Sequence, residues 1–307
     1  MSGPTPGGGA ASARSASRAG AVPVIEAVAT EPAAPAHRGA WLTDLRARPV
    51  RARQWWVLTT RLITPSVKTG EVLTSVFAPA AFTASFYIPL KTVMTFAGTG
   101  FSSYAQFMMP LVILQAAAFT AIGAAFRSAT DAVAGLDRRF GSMPIGKLVP
   151  FGARMSGNVF RLVIALTAAL VCGHVIGFRF RLDALHTLGF LALALAIGIA
   201  FTVGADVIGT ASKSPEATTQ ALVLPPLILG MLSTALAPAT QFPQWVQPFV
   251  RNQPISQFAI GLRALAGDTA GNAGVVSWSL LGPSLLWLAG ILALALPLAV
   301  RFATRRS

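Results

Sequence analysis

The chain has 307 residues, 54% of them hydrophobic and 11% charged, with a mean hydropathy of +0.64 and a formal net charge of +14. That balance leaves more apolar surface than a water-soluble domain can hide, so it points to a membrane protein. A single cysteine, Cys172, excludes a disulfide within the chain and reads as a small buried hydrophobe.

Residues 1–40 are rich in Gly, Ala, Pro and Ser with scattered Arg, and read as a disordered cytoplasmic tail. They contain no apolar core of the length a cleavable signal needs. Residues 41–68 interleave Arg with Trp41, Trp55, Trp56, Leu58, Leu62 and Ile63. On a helix from Arg51 to Thr64, Trp55, Leu58 and Leu62 share a face while Arg51 and Arg53 reach anionic headgroups. This predicts an interfacial amphipathic helix leading into the first span. RNA binding can use the same interleaving, but beside a span the membrane reading takes precedence, and no nucleic-acid partner is expected.

About 20 apolar residues in a helix cross a hydrocarbon core of roughly 30 Å. Six runs meet that length, at about 72–90, 105–126, 158–178, 185–209, 220–238 and 277–300. Lipid-exposed backbone has no water to satisfy its polar groups and the runs lack barrel-like alternation, so all six are expected to be helices. The predicted fold class is an all-α membrane protein, a six-span domain over 69–307. Pro79, Pro110, Pro225, Pro226 and Pro297 fall inside the runs and are expected to kink helices rather than end them.

Of the 24 Lys and Arg, 18 fall before residue 70, between 127 and 154, at Lys213 or at the C-terminus. The opposite loops hold Lys91, Arg179, Arg181, Arg251 and Arg263. The positive-inside rule then puts both termini in the cytoplasm.

Between the spans, 127–157 is the long cytoplasmic connection. Within it Val133, Leu136 and Phe140 share a helical face, followed by a Gly-Ser-Met-Pro turn, and the helix carries Arg138 and Arg139 in a form suited to a partner's groove. The same stretch holds Gly141, four residues, then Gly146 and Lys147, close to a phosphate-loop spacing. Leu148 stands where a magnesium-binding hydroxyl belongs, Pro144 lacks an N–H inside the cradle, and no strand or second acid is available, so ATP is not expected to bind here. The outer connection 239–276 mixes Phe242, Trp245, Phe249, Phe258 and Leu262 with Pro, Gln and Arg. A re-entrant pair of short helices in the outer leaflet fits, with Pro243, Pro248 and Pro254 at entry and turns and Trp245 at headgroup depth.

Catalytic chemistry is not legible. His37, His174 and His186 are scattered, with no metal-ligand spacing and no acid and nucleophile to serve. No metal site and no enzymatic activity are therefore expected. The charges at membrane depth are Glu71, Arg161 and Asp206. They either pair or snorkel at the interface, and the sharper expectation is an Asp206–Arg161 bridge between the third and fourth spans. Gly173, Gly177, Gly189, Gly198 and Gly204 suit close helix packing.

The stretches "GEVLTSVFAPAAF" at 70–82, "FRSATDAVAGLDRRFGSMPIGKLVP" at 126–150 and "FVRNQPISQFAIGLRALAGDT" at 249–269 carry a resemblance that extends from about residue 50 to the end. The chain resembles the membrane subunit of type-2 ABC exporters (ABC-2 permeases), most closely the daunorubicin-resistance permeases, some of whose mycobacterial members export complex lipids such as phthiocerol dimycocerosates. The resemblance implies an ATPase-coupling role for Asp137, Arg138, Arg139, Met143, Pro144 and Ile145, with Asp137 where drug permeases usually carry Glu. It implies that the Asn-Pro-hydrophobic-Ser element appears as Asn252, Pro254, Ile255 and Ser256 with Gln253 inserted. It further implies a multi-pass protein of the plasma membrane, a separate nucleotide-binding ATPase subunit holding ATP and magnesium, no cofactor on this chain, a second permease copy or paralogue, and a hydrophobic drug or lipid as cargo. An ion-coupled secondary carrier would show internal repeats and paired midplane acids, and a non-transporting scaffold or lipid-modifying enzyme would show a loop dense in His, Asp or Glu; neither pattern is found.

Overall fold

The computed structural model describes residues 51–68, 70–96, 104–136, 146, 148–268 and 276–305. Among these residues every regular element is helical. In chain order they are α1 (Arg51–Lys68), α2 (Glu71–Phe96), α3 (Tyr104–Val133), α4 (Val149–Ile176), α5 (Ala184–Ala211), α6 (Pro215–Met231), a 3-10 turn (Ala239–Gln241), α7 (Gln247–Asn252), α8 (Pro254–Ala266) and α9 (Trp278–Arg305).

Four of these, α3, α4, α5 and α9, are long and apolar enough to cross a membrane. The other two expected spans come out differently. The run at 72–90 lies in α2, where the apolar portion is the shorter Leu73–Pro89. The run at 220–238 lies partly in α6, which starts earlier, at Pro215, and stops at Met231. Its stop is chemical, since Ser233 Oγ donates to the carbonyl of Gly230 at 2.6 Å and Gln253 Nε2 donates to those of Leu229 and Leu232, both at 2.8 Å. Side chains thus take the carbonyls that a continuing helix would have used.

Within the expected connection 127–157, residues 127–133 belong to α3 and 149–157 to α4. The α3 ladder continues past the apolar run to Val133, and along this extension Arg127 Nη2 donates to Asn158 Oδ1 at 2.9 Å, tying α3 to α4. Gly135 then adopts φ 68°, a left-handed conformation that closes α3. The single helix expected to present Val133, Leu136 and Phe140 is therefore broken between Val133 and Leu136. The helices run through Pro79, Pro110, Pro225, Pro226 and Pro297, as expected.

α3 forms the axis of the bundle, and its most extensive packing is against α5. The core gathers Met108, Met109, Leu162, Phe190, Ile197, Phe258 and Leu262, all at 0–1% exposure. Phe178, Phe180 and Phe190 add edge-to-face contacts at 5.0 and 5.3 Å between ring centroids, a geometry that aligns ring edges with ring faces. At Gly198 an added Cβ would lie 2.5 Å from Leu162 Cδ1, so the close approach of α4 and α5 requires glycine there, as expected. Gly204 differs: nothing lies within 4 Å of its would-be Cβ, and it lines a cavity instead. α8 is buried on α3, α5 and α9, which makes half of the outer helix pair part of the core.

Candidate functional site

The polar groups of the bundle collect in two regions. The first lies where the C-terminal half of α3 meets the N-terminal half of α4 and the end of α5. Arg154 Nη2 donates to Asp206 Oδ2 at 3.2 Å, with the carboxylate side chain 3% exposed. The backbone carbonyl of Asp206 accepts from Ser128 Oγ at 3.2 Å and Thr210 Oγ1 at 2.6 Å, so α3 is tied to α5 at the same level. The ion pair seen at Asp206 is with Arg154, a residue that charge counting assigns to the cytoplasmic loop. The reason is that α4 starts at Val149, putting Arg154 inside the helix and beside α5. Arg161 is itself buried, at 5% exposure, and lines a cavity together with Arg127.

On the outer face of this region, α1 docks on α4. Trp55 Nε1 donates to Ser156 Oγ at 3.1 Å, and the indole lies over Gly152, where a Cβ would be 3.6 Å from the ring. Leu62 faces Gly157 in the same way. The predicted Trp55 and Leu62 face therefore exists, and it meets a helix.

The second region surrounds the end of α6. Gln253, 4% exposed, sends Nε2 to the two α6 carbonyls, while Ser256 Oγ accepts from the backbone N–H of Thr234 at 3.0 Å. Arg263 completes it: Nη1 donates to the carbonyl of Thr234 at 2.8 Å, Nη2 to that of Ala235 at 3.0 Å, and Nε and Nη2 to that of Phe107 at 3.1 and 3.0 Å. The guanidinium also stacks 3.8 Å from the centroid of the Phe107 ring. Its five donors in a rigid fork suit several carbonyls left bare by irregular backbone. Of the outer residues singled out from sequence, Pro254 opens α8, Ser256 is buried, Asn252 accepts from Trp287 Nε1 at 3.1 Å through its carbonyl, and Trp245 is 84% exposed. Gln253 and Arg263 were not foreseen as organisers; the signal for Gln253 was its insertion into the Asn-Pro element.

Asp137, Arg138, Arg139, Met143, Pro144 and Ile145 lie outside the described residues, as does the Glu71 side chain; Glu71 is the first residue of α2. Gly146 and Leu148 are described and lead into α4, where Pro150 removes an N–H from the first turn. Among the described residues no group of three or more His, Cys, Asp or Glu is assembled.

A bundle of apolar helices with a buried guanidinium against backbone carbonyls and a buried ion pair defines a multi-pass membrane protein. The chain is 48% identical over 259 residues to the doxorubicin resistance ABC transporter permease protein DrrB of Mycobacterium tuberculosis, covering 82% of this chain and 90% of the relative. It is 28% identical over 196 residues to a second Mycobacterium tuberculosis permease protein, DrrC, covering 64% and 68%. It is also 29% identical over 200 residues to the daunorubicin resistance ABC transporter permease protein DrrB1 of Streptomyces coeruleorubidus, with the same coverage. No family model matches the chain. The chain belongs to the Drr family of ABC transporter permeases, of the ABC-2 type. It is a transport component of the plasma membrane, not an enzyme.

Proposed function

We propose that the chain is the permease subunit of an ATP-driven exporter that moves a hydrophobic drug or a complex lipid across the plasma membrane, with both termini cytoplasmic. The 48% identity to DrrB over most of both chains is the observation that carries this reading. ATP and magnesium sit on a separate nucleotide-binding subunit, and this chain binds no cofactor. That subunit docks on the segment between α3 and α4, at Asp137, Arg138, Arg139, Met143, Pro144 and Ile145. Support comes from the helices that bracket the segment. α3 and α4 are joined to each other through Arg127 and Asn158, and α4 is joined to α5 through Arg154 and Asp206, so a push on the segment moves three spans together. A second permease, identical or paralogous, completes the pathway, and α7 with α8 forms its re-entrant outer end.

The test is co-expression with the ATPase subunit and measurement of efflux of a labelled hydrophobic drug. Efflux should vanish when the ATPase loses the lysine of its phosphate loop; efflux that persists would overturn the reading. Reversal of Arg138 and Arg139 to Glu should abolish copurification of the ATPase while membrane insertion is kept, and unchanged copurification would overturn the docking assignment.

A further inference from the structure

A cavity of about 250 Å³ lies between α3, α5, α6, α8 and α9. The described residues that line it carry hydrocarbon side chains or, at Gly204, none. Ala118, Ala200 and Ile255 form a floor at 0–6% exposure, whereas Ile208 and Pro225 are exposed and form a rim. Ala118 falls at the middle of α3 and Ile291 at the middle of α9, so the cavity sits at the mid-depth of two spans.

The room is built into α5. Packing demands glycine at Gly198 and Gly209, where a Cβ would stand 2.5 Å from Leu162 and 2.2 Å from the Ala125 carbonyl, but around Gly204 nothing lies within 4 Å. Glycine is a poorer helix former than alanine, so at Gly204 the helix gives up stability for space rather than for contact. Pro225 and Pro226 face that space from α6.

The depth and the size of the cavity choose its occupant. At the middle of a bilayer the surrounding medium is acyl chain, and a hydrocarbon lining gives a polar head nothing to bond. The volume is below the roughly 300–1,000 Å³ of sites that enclose a whole drug-sized ligand. A methylene takes about 30 Å³, as a water molecule does, so the space holds roughly eight carbons of one chain. Lipid tails are as apolar as the lining, so entry gains no hydrophobic energy. Occupancy is favoured instead because a void leaves the lining atoms without van der Waals partners.

We infer that this cavity is a binding site for the end of a single acyl chain, held from a phospholipid of the surrounding bilayer. The inference rests on the membrane-spanning fold and not on the export reading.

The full-length chain is placed in liposomes with phosphatidylcholine carrying a diazirine at the terminal carbon of one acyl chain, irradiated, and mapped by peptide mass spectrometry. Label is expected on the buried floor at Ala200 and Ile255, alongside the lipid-facing reference residues Leu286 and Leu294. A diazirine at the second carbon of the chain should not reach the floor. Gly204→Leu fills the cavity from α5 and Ala121→Leu from α3; each should lose the label at Ile255 and keep it at Leu286 and Leu294. Two filling variants on different helices keep the test alive if one fails to fold. Gly290→Leu, which enters open space on α9, should leave the Ile255 label unchanged. Absence of label at Ala200 and Ile255, equal label from the second-carbon probe, or wild-type label in both filled variants would overturn the inference. Disulfide formation between Ile208→Cys copies with an unlabelled floor would assign the rim to a second copy and overturn it too. Addition of the ATPase subunit and ATP should leave the floor label unchanged; its loss would mark travelling cargo and overturn the bilayer-lipid assignment. Drug efflux tests the export reading separately.

Discussion

Arg154 reaches across from α4 to Asp206 on α5, Nη2 to Oδ2 at 3.2 Å, with side-chain exposures of 15% and 3%. This contact joins the first turns of α4 to the last turns of α5, and it sits among the bonds that tie α3 to the same level. Breaking a buried pair by deleting one partner leaves the other charge short of a counter-charge, a loss of up to about 3–5 kcal/mol. Asp206→Asn and Arg154→Gln should each lower the unfolding midpoint in detergent, and Arg154→Met with Asp206→Leu together should recover most of the loss. A double variant as unstable as the sum of the singles would show that the pair is not coupled.

Arg263 spreads its donors over carbonyls of Phe107, Thr234 and Ala235. A lysine has the charge but not the fork, so Arg263→Lys should satisfy fewer of them and loosen the turn after α6. Amide exchange at 232–236 is expected to accelerate in Arg263→Lys and more so in Arg263→Met, while exchange in α9 stays near wild type. Equal protection in all three proteins would count against a fastening role.

Trp55 contributes one hydrogen bond to Ser156 and packs its ring against Gly152. Removal of the bond alone by Ser156→Ala should cost about 1 kcal/mol. Trp55→Ala also removes the ring, so its larger effect should appear as release of α1 from α4, read by cysteine crosslinking between the two helices.

Gly209 on α5 meets the backbone of Ala125 on α3, and an added Cβ would collide with the Ala125 carbonyl and with Ser128 Oγ. Backbone cannot step aside as a side chain can, so Gly209→Ala should destabilise the bundle by about 1–3 kcal/mol. Gly204→Ala on the same helix, with open space around it, should be close to neutral in the same melting assay.

Asp183 precedes α5 and takes a hydrogen bond from His186, which holds its carboxyl below the usual carboxylate range. A depressed folded-state value means that the contact stabilises the helix start above the ordinary Asp range and is lost as pH falls through the lowered value. The site is solvent-exposed, so the effect is local: amide protection at Thr187 should fall on acidification below the usual carboxylate range in the wild type, and Asp183→Asn should remove that dependence.

The all-helical class and four of the six expected spans follow from run length alone, because about 20 apolar residues have one stable solution in lipid. The relationship to drug permeases was also legible, since its motifs are contiguous in the chain. Helix ends were not, because hydropathy marks where the apolar run stops while the backbone ladder stops where side chains take its carbonyls. That is why α6 halts at Met231 under Gln253, while α3 runs on to Val133 beyond its apolar run. Charge counting placed Arg154 and Arg263 in loops on opposite sides, but only packing revealed that one answers Asp206 and the other answers bare carbonyls. The cavity between Arg127 and Arg161 likewise unites residues 34 positions apart with α2 and α6, a proximity set by helix crossing rather than by sequence spacing.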